Sequence, residues 1–305
     1  MRILVTGGAG FQGSHVAEQC LRAGHRVTVL NTFSEEAESN IESFAKDVSV
    51  VWGSVTDQEI VVKSVRDHDA VIHLAARINV DESIHSPYDF LFVNVTGTYN
   101  VLEAAKKYGA RLIYASSCEV YGGSTTMTPV DETADLRPHS PYAASKAAAD
   151  RLCFAYWKTY GVNVTMVRPC NIYGPRQKGG QGGAVIPIFV ERALEHQPLV
   201  IYGTGEQRRE YMYVDDLVAT YMLVLERNDL EGEVINAGTG ESPSIQEIAA
   251  FIAKRLETTI EHGPSRSGEV MGFSLNSSKV RELGFSPQLT FWEGLERYID
   301  WKQGK

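Results

Sequence analysis

Three glycines at positions 7, 10 and 13, within Thr6-Gly-Gly-Ala-Gly-Phe-Gln-Gly13, constrain this chain more than any other feature. They follow a β-branched run at residues 2–6 and precede a helical stretch at 15–23. A strand that turns into a helix over so few residues needs backbone conformations that side chains disfavour, and the Gly-x-x-Gly-x-x-Gly spacing leaves main chain bare where a ligand can approach it. The free N–H groups and partial positive charge of the following helix N-terminus suit a pyrophosphate. The turn therefore predicts a dinucleotide site at Gly7, Gly10 and Gly13.

The rest of the first half repeats the strand–helix alternation. Runs at 26–30, 48–51, 70–74, 111–116 and 163–167 are apolar on both faces, as a buried parallel sheet requires. Between them, 60–65, 88–108 and 141–160 read as helices. The pattern predicts an α/β fold with a doubly wound parallel (Rossmann) sheet whose ligands bind at the carboxyl ends of the strands. After Arg168 the alternation is lost. A glycine-rich loop at 179–183 leads to a helix at 186–195, a strand at 199–202, an arginine-bearing loop at 203–209, a strand at 234–236 and helices at 245–256 and 292–302. This predicts a smaller C-terminal α/β substrate lobe. The expected division is 1–170 for dinucleotide binding and 171–305 for substrate, with a return to the first unit around 212–237.

Composition narrows the classes. With 305 residues, 43% hydrophobic and 22% charged, the chain is of ordinary globular type. A net charge of -9 opposes a nucleic-acid binder. No apolar run approaches the roughly 18 residues of a membrane span, and the N-terminal strand is too short for a secretion signal, so no membrane role and a cytoplasmic location are expected. The four cysteines, Cys20, Cys118, Cys153 and Cys170, have no Cys-x-x-Cys spacing, so neither a metal site nor disulfides are expected.

Asn31, at the end of the second strand, can hydrogen-bond an adenosine ribose but lacks the charge that repels a 2′-phosphate. With Glu35 and Glu36 nearby and no arginine following, NAD is favoured over NADP. Tyr142-Ala-Ala-Ser-Lys146 opens a helix, and at i and i+4 the two side chains share a face. A phenol titrates near roughly 10, and a neighbouring ammonium lowers that value and makes a base of it. Ser117 follows the fifth strand, where it can hydrogen-bond a reacting hydroxyl and its developing carbonyl.

These residues, together with His73-Leu-Ala-Ala76, Asn94-Val-Thr-Gly-Thr98, Ser140-Pro-Tyr-Ala-Ala-Ser-Lys146, Arg168-Pro-Cys-Asn-Ile-Tyr-Gly-Pro-Arg176 and Arg209-Glu-Tyr-Met-Tyr-Val-Asp-Asp216, resemble the extended short-chain dehydrogenase/reductase family over nearly the whole chain. The resemblance is to its NAD-dependent nucleotide-sugar epimerases and dehydratases. It implies that Tyr142 is the base, that Lys146 holds it and the nicotinamide ribose, and that Ser117 orients the C4 hydroxyl of a sugar. It implies a cofactor site lined by Gly7, Gly10, Phe11, Gln12, Gly13, Asn31, Ser54, Val55, Leu74, Ala75, Ala76, Asn94, Tyr142, Lys146 and Pro169, with Asn94 also supporting the catalytic environment. Asn171, Arg209 and Arg266 would hold the nucleotide diphosphate, a task that suits the planar guanidinium fork. Three positions depart from the pattern. Gln12 replaces an apolar residue, Ser54 stands where an aspartate is common near the adenine, and Asn31 replaces an acid.

Glu119 bears on the reaction. Simple epimerases of the family usually carry no carboxylate two positions before the second tyrosine, here Tyr121, whereas dehydratases and uronic-acid decarboxylases usually do. The resemblance therefore implies that Glu119 is a base at C5 of the sugar. Cys118 occupies the place of an acid for the departing C6 hydroxyl, and the Ser-Cys-Glu order also resembles 5,6-dehydratases. The expected activity is dehydration of a UDP- or dTDP-hexose, as a 4,6-dehydratase or its 5,6 variant, with C4 epimerisation as the alternative. Decarboxylation of a uronic acid, net reduction and a non-catalytic NAD-binding scaffold are lesser readings. A homodimer is expected through helices following Asn94 and Tyr142, with Ala143, Ala144, Ala147, Ala148 and Ala149 permitting close packing.

Overall fold

The computed structural model describes residues 1–123, 128–179, 183–265 and 272–305. Its strands are β1 (Arg2–Thr6), β2 (Arg26–Asn31), β3 (Ser49–Trp52), β4 (Ala70–His73), β5 (Arg111–Ala115), β6 (Val164–Pro169), β7 (Asn171–Tyr173), β8 (Leu199–Tyr202), β9 (Tyr211–Tyr213), β10 (Val234–Ala237) and β11 (Ile260–Gly263). Seven of them form one parallel sheet in the order β3-β2-β1-β4-β5-β6-β10. The order reverses direction between β1 and β4, and a crevice opens there at the carboxyl ends. The registers Thr6↔His73 and Ala115↔Val167 bring the strand ends that carry the motifs level with one another.

The helices are α1 (Phe11–Arg22), α2 (Glu35–Ile41), α3 (Gln58–Val65), α4 (Val80–His85), α5 (Pro87–Leu91), α6 (Gly97–Tyr108), α7 (Pro141–Tyr160), α8 (Val185–Leu194), α9 (Val214–Glu226), α10 (Ile245–Leu256), α11 (Ser278–Glu282) and α12 (Phe291–Lys302). The period-two alternation of the strands divides the core. Ile3, Val5, Val27 and Val29 face a cluster with Val16, Ala17 and Val218 of α1 and α9. Leu4, Leu30, Val71, Leu112 and Val164 face a second cluster with Val61, Val101, Leu102, Ala149 and Cys153 of α3, α6 and α7. Both faces of the sheet are covered, which is why its strands read as unbroken apolar runs. β8 and β11 pair in parallel beside α8 and α10, while β7 and β9 form a second small parallel pair. These make the smaller C-terminal α/β region. β10 returns to the large sheet, with Val234–Ala237 beside β6.

Local chemistry sets the helix ends. Ser140 accepts from the Ala143 N–H and Pro141 occupies the first turn of α7, a start that fixes where Tyr142 emerges. Gly109 and Gly161, left-handed at φ +71° and +67°, stop α6 and α7. The structure corrects the sequence reading at three places. The single helix predicted over 88–108 is α5, a π-helical turn at Phe92–Thr96, and α6. The first helix begins at Phe11, directly on the glycine turn. Residues 214–226, read only as part of a return, form a helix buried on most sides, whose narrow exposed stripe at Asp215, Ala219 and Glu226 includes an alanine, so its 3.6-residue pattern is weak in the sequence. Of the alanines expected at a subunit interface, Ala143, Ala147 and Ala149 are buried within this chain, and only Ala144 and Ala148 are exposed on α7. Among the described residues no helix is long and apolar enough to cross a membrane.

Candidate active site

The glycine turn admits no side chain at Gly7 or Gly13. Gly7 is left-handed at φ +70°, its N–H donates to the Leu30 carbonyl at 2.8 Å, and a Cβ there would lie 2.7 Å from the Ala75 nitrogen. A Cβ on Gly13 would lie 1.9 Å from the Gly7 carbonyl oxygen, so α1 packs directly on the turn. Gly10 brings no capping side chain and the first turn of α1 has no acidic residue. Its N–H groups are therefore available to an anion, and a backbone cradle of this kind fits a dinucleotide pyrophosphate. Phe11 and Gln12 begin α1 and are half-buried.

Asn31 sits beside this cradle, but its side chain is engaged locally. Oδ1 accepts from the Ala9 N–H at 3.3 Å and Nδ2 donates to the Thr32 carbonyl at 2.7 Å. It therefore stiffens the glycine turn. Ser54 shares a hydrogen bond with Thr56 at 2.8 Å. Val55 is buried and its carbonyl accepts from Asn100 at 2.9 Å. Leu74, Ala75 and Ala76 extend β4 along the crevice, half-buried, with the Leu74 N–H donating to the Thr6 carbonyl at 3.0 Å. Pro169 closes β6 on the other side.

Behind the crevice lies a directed chain of hydrogen bonds. Thr98 Oγ1 donates to the Asn94 carbonyl at 2.6 Å, so it must accept from His73 Nε2 at 3.0 Å. His73 Nδ1 then accepts from Thr6 Oγ1 at 2.6 Å. Burial, aided by the Lys146 charge, pushes the imidazole from an ordinary 6.5 down to about 3, so His73 is a neutral strut. Asn94 continues the chain. Its Oδ1 accepts from the Arg77 N–H at 2.8 Å, and its Nδ2 donates to the Arg77 carbonyl at 3.0 Å and to Ser145 Oγ at 2.8 Å. Ser145 in turn donates to the Tyr142 carbonyl at 2.7 Å. Expected at the cofactor site and as a support of the catalytic environment, Asn94 lies buried in the π-helical turn, where both Nδ2 hydrogens and one acceptor site of Oδ1 are taken up by Arg77 and Ser145, so that it braces α7.

Ser117, Glu119 and Tyr142 converge at the end of β5. Ser117 caps the short turn Cys118–Tyr121, its Oγ accepting from the Glu119 N–H at 3.1 Å. Burial raises the Tyr142 phenol above its ordinary value. A hydrogen bond with Ser117 opposes the rise, and the neighbouring Glu119 and Cys118 add to it. Lys146 is fully buried. Its Nζ donates to the Ala115 carbonyl and lies 4.7 Å from the centre of the Tyr114 ring. Burial lowers this amine to about 8. The sequence reading expected the ammonium to depress the phenol. Here Nζ is held by the Ala115 carbonyl at the end of β5, and the group that favours the phenolate is Ser117.

Glu119 is half-buried and held above its ordinary carboxyl range by desolvation, with Arg209 and His139 pulling the other way. Cys118 is buried beneath it. Desolvation and the nearby carboxylates Glu119 and Glu210 push its thiol well above the ordinary value, which makes it a poorer proton donor than the sequence position suggested.

On the substrate side, Asn171 Nδ2 donates to the Glu210 carbonyl at 2.9 Å. Asn171 also lines a cavity of about 190 Å³ with Ile172, Tyr173, Val185, Ile186 and Tyr211. Arg209 Nη1 donates to the Arg208 carbonyl at 2.9 Å. Arg266 lies outside the described residues. Two residues here escaped the sequence reading. Exposed His139 gives no periodic signal, though it immediately precedes Ser140. Glu210, fully buried, accepts from the Leu275 N–H at 2.6 Å, the Gly240 N–H at 2.8 Å and Ser274 Oγ at 3.3 Å. It ties the start of β9 to two distant segments, which no sequence spacing reveals.

Comparison with known proteins agrees with this geometry. The profile of the NAD dependent epimerase/dehydratase family matches residues 3–238. The chain is 37% identical to a dTDP-glucose 4,6-dehydratase of Streptomyces niveus, over 99% of its own length and 92% of the relative's. The solved structure of a UDP-glucose 4-epimerase from Thermotoga maritima with UDP-glucose superposes with a TM-score of 0.93 at 32% identity, covering 100% of this chain and 99% of that one. A dTDP-glucose 4,6-dehydratase from Streptomyces venezuelae with NAD bound also gives 0.93, at 34% identity over 100% and 98% of the two chains. One backbone at nearly equal distance serves a dehydratase and an epimerase, so the choice between reactions falls to individual side chains. The chain belongs to the NAD dependent epimerase/dehydratase family, the extended short-chain dehydrogenase/reductases that act on nucleotide sugars.

Proposed function

We propose that this protein is an NAD-dependent nucleotide-sugar dehydratase that oxidises C4 of a UDP- or dTDP-hexose transiently and then expels water, as a 4,6-dehydratase or its 5,6 variant. One observation carries the choice. The Glu119 carboxyl is half-buried in the turn that Ser117 caps, close enough to Tyr142 to act on its phenol, and desolvation holds it above its ordinary range, which suits a group asked to move a proton.

Bound NAD supplies the hydride acceptor and donor that keeps such a reaction redox-neutral. The turn at Gly7, Gly10 and Gly13 and the start of α1 with Phe11 and Gln12 would hold its pyrophosphate. Asn31, Ser54, Val55, Leu74, Ala75, Ala76 and Pro169 would line the crevice, with Lys146 at the nicotinamide ribose. The Tyr142 phenolate, which the Ser117 hydrogen bond favours against the burial that raises the phenol, would accept the C4 hydroxyl proton, and Ser117 would hydrogen-bond the oxygen that becomes a carbonyl. A ketone at C4 acidifies the C5–H, and Glu119 removes that proton. Since the Cys118 thiol is a weak acid here, the protonated Glu119 would pass its proton to the departing C6 hydroxyl, which leaves as water, and the proton held on Tyr142 would return to the sugar at O4 in the 5,6 variant or pass to solvent while C5 regains a proton through Glu119 in the 4,6 reaction. Asn171, Arg209 and Arg266 hold the diphosphate.

A C4 epimerase, the alternative, would leave Glu119 without a proton to move. Incubation with a panel of UDP-, dTDP-, GDP- and CDP-sugars, read by mass spectrometry, separates the two. Loss of one water is expected, whereas unchanged mass with a changed NMR spectrum would establish epimerisation. Glu119→Gln should abolish the dehydrated product, and a full yield of it from that variant would remove Glu119 from the chemistry.

The same reading includes a homodimer. Tyr88, Leu91, Phe92 and Tyr99 are exposed on the α5–α6 segment, and Ala144 and Ala148 are exposed on α7. Pairing these helices between two subunits would cover the aromatic side chains. Sedimentation of a monomer at assay concentration would refute it.

A further inference from the structure

The side chain of Arg168 is 1% exposed. It lies in β6, where Val164 and Met166 face the cluster under α6 and α7, so strand alternation turns Arg168 toward α7 as well. There Nε and Nη2 each donate at 2.9 Å to the carboxylate of Asp150, itself fully buried. Nη1 donates to the Tyr121 phenol oxygen at 2.7 Å, and the guanidinium stands 4.8 Å from the centre of that ring. Tyr121 donates onward to Asn236 Oδ1 in β10 at 2.7 Å.

The two ends of this bridge fall in the two segments that carry the residues assigned above to C4 oxidation. Asp150 is one helical turn beyond Lys146, on the same face of α7. Tyr121 ends the turn that Ser117 caps and Glu119 occupies. A buried ion pair is a weak source of stability, because apolar residues of similar volume avoid its desolvation cost. What it adds is direction: three N–H vectors of one planar group, each with a single acceptor.

We propose that Asp150, Arg168 and Tyr121 are positioning residues that hold the turn bearing Ser117 and Glu119 in fixed register with the helix bearing Tyr142 and Lys146. The proposal rests on the roles given above to Ser117 and Tyr142 in C4 oxidation, a step that dehydration and epimerisation share. Register between these segments sets whether the hydroxyl held by Ser117 lies along the path to the Tyr142 oxygen.

Tyr121→Phe tests it, because the ring and its contact with the guanidinium remain while the hydroxyl link is lost. The variant should lower kcat about 10- to 100-fold with KM for the nucleotide sugar changed less than about twofold. Its kinetic isotope effect on kcat with substrate deuterated at C4 should rise, since misaligned C4 oxidation becomes the slow step. Arg168→Lys, which keeps a charge beside Asp150 but cannot span both partners, is the companion variant if Tyr121→Phe does not fold, and it carries the same expectation. A kcat within about twofold of the parent, or a loss of kcat and Tm with no change in the isotope effect, would overturn the proposal. Glu119→Gln keeps the two readings apart. If that variant still dehydrates, the base assignment falls while the isotope effect in Tyr121→Phe continues to judge the bridge.

Discussion

Around Gly7, Gly10 and Gly13 the surface offered to a ligand is main chain, whereas around Tyr142 it is side chains braced by other side chains. The cradle is local: seven consecutive residues shape it, and its tolerance is set by contacts such as the 1.9 Å that a Cβ on Gly13 would make with the Gly7 oxygen. The proposed catalytic corner draws Ser117 from the turn after β5, Tyr142, Lys146 and Asp150 from α7 and Arg168 from β6, and its geometry depends on buried polar contacts. A change in the cradle should therefore act on binding and folding together. A change in the corner should act on turnover while binding persists.

The largest effect that would sharpen this contrast is Tyr142→Phe. It should lower kcat by about 10²–10⁴-fold while NAD affinity, followed by equilibrium titration, stays close to the parent's. A comparable loss of NAD affinity would merge the two regions into one. Next is Gly13→Ala, expected to weaken NAD binding and to lower stability by about 1–3 kcal/mol in urea unfolding, because the added methyl group would meet the main chain of Gly7 and Gly8. A variant with parental stability and NAD affinity would show the cradle to be more forgiving than its contacts imply.

The His73 strut joins the two regions and makes its own prediction. The folded imidazole titrates at about 3 and the unfolded one near 6.5, so below 6.5 the unfolded chain binds a proton that the folded chain refuses. Stability should fall with pH from about 6.5 downward, reaching about 2 kcal/mol lost from this group by pH 5. Urea midpoints measured across that range should show a smaller acid slope in His73→Gln, and an unchanged slope would mean that the ring is protonated in the folded state. The smallest expected effect is that of Asn31→Asp. It restores a charge at the end of β2 and should raise the preference for NAD over NADP several-fold in dissociation constants, at some cost to the Thr32 contact that Nδ2 makes.

The same contrast separates what was legible in the sequence from what was not. The glycine spacing announces its turn because the requirement is for absent side chains at fixed offsets, and the parallel sheet announces itself through apolar runs. Tyr142 and Lys146 are readable because one helical turn separates them. Where the ammonium points is not readable, since that depends on the Ala115 carbonyl of another element. Asn94 appears in sequence as a member of the site, yet only the π-helical turn shows its amide bound to Arg77 and Ser145. Asp150 and Glu210 look like ordinary charged residues until tertiary structure supplies Arg168 to the first and backbone N–H groups to the second. Cys118 sits at a plausible position for an acid, but its depth in the core, set by packing far along the chain, decides its proton affinity.

The pairing of β10 with β6 bears on how the molecule is made. During synthesis, a nascent chain that has emerged only through Pro169 has one flank of its largest sheet open, and the guanidinium of Arg168 has Tyr121 but not yet the Asn236 amide behind it. Some sixty-five further residues must leave the ribosome before that flank is capped. Shortened chains ending before Val234 should consequently associate edge to edge or require chaperones, so the late-made strand acts as the closing piece of the early-made half.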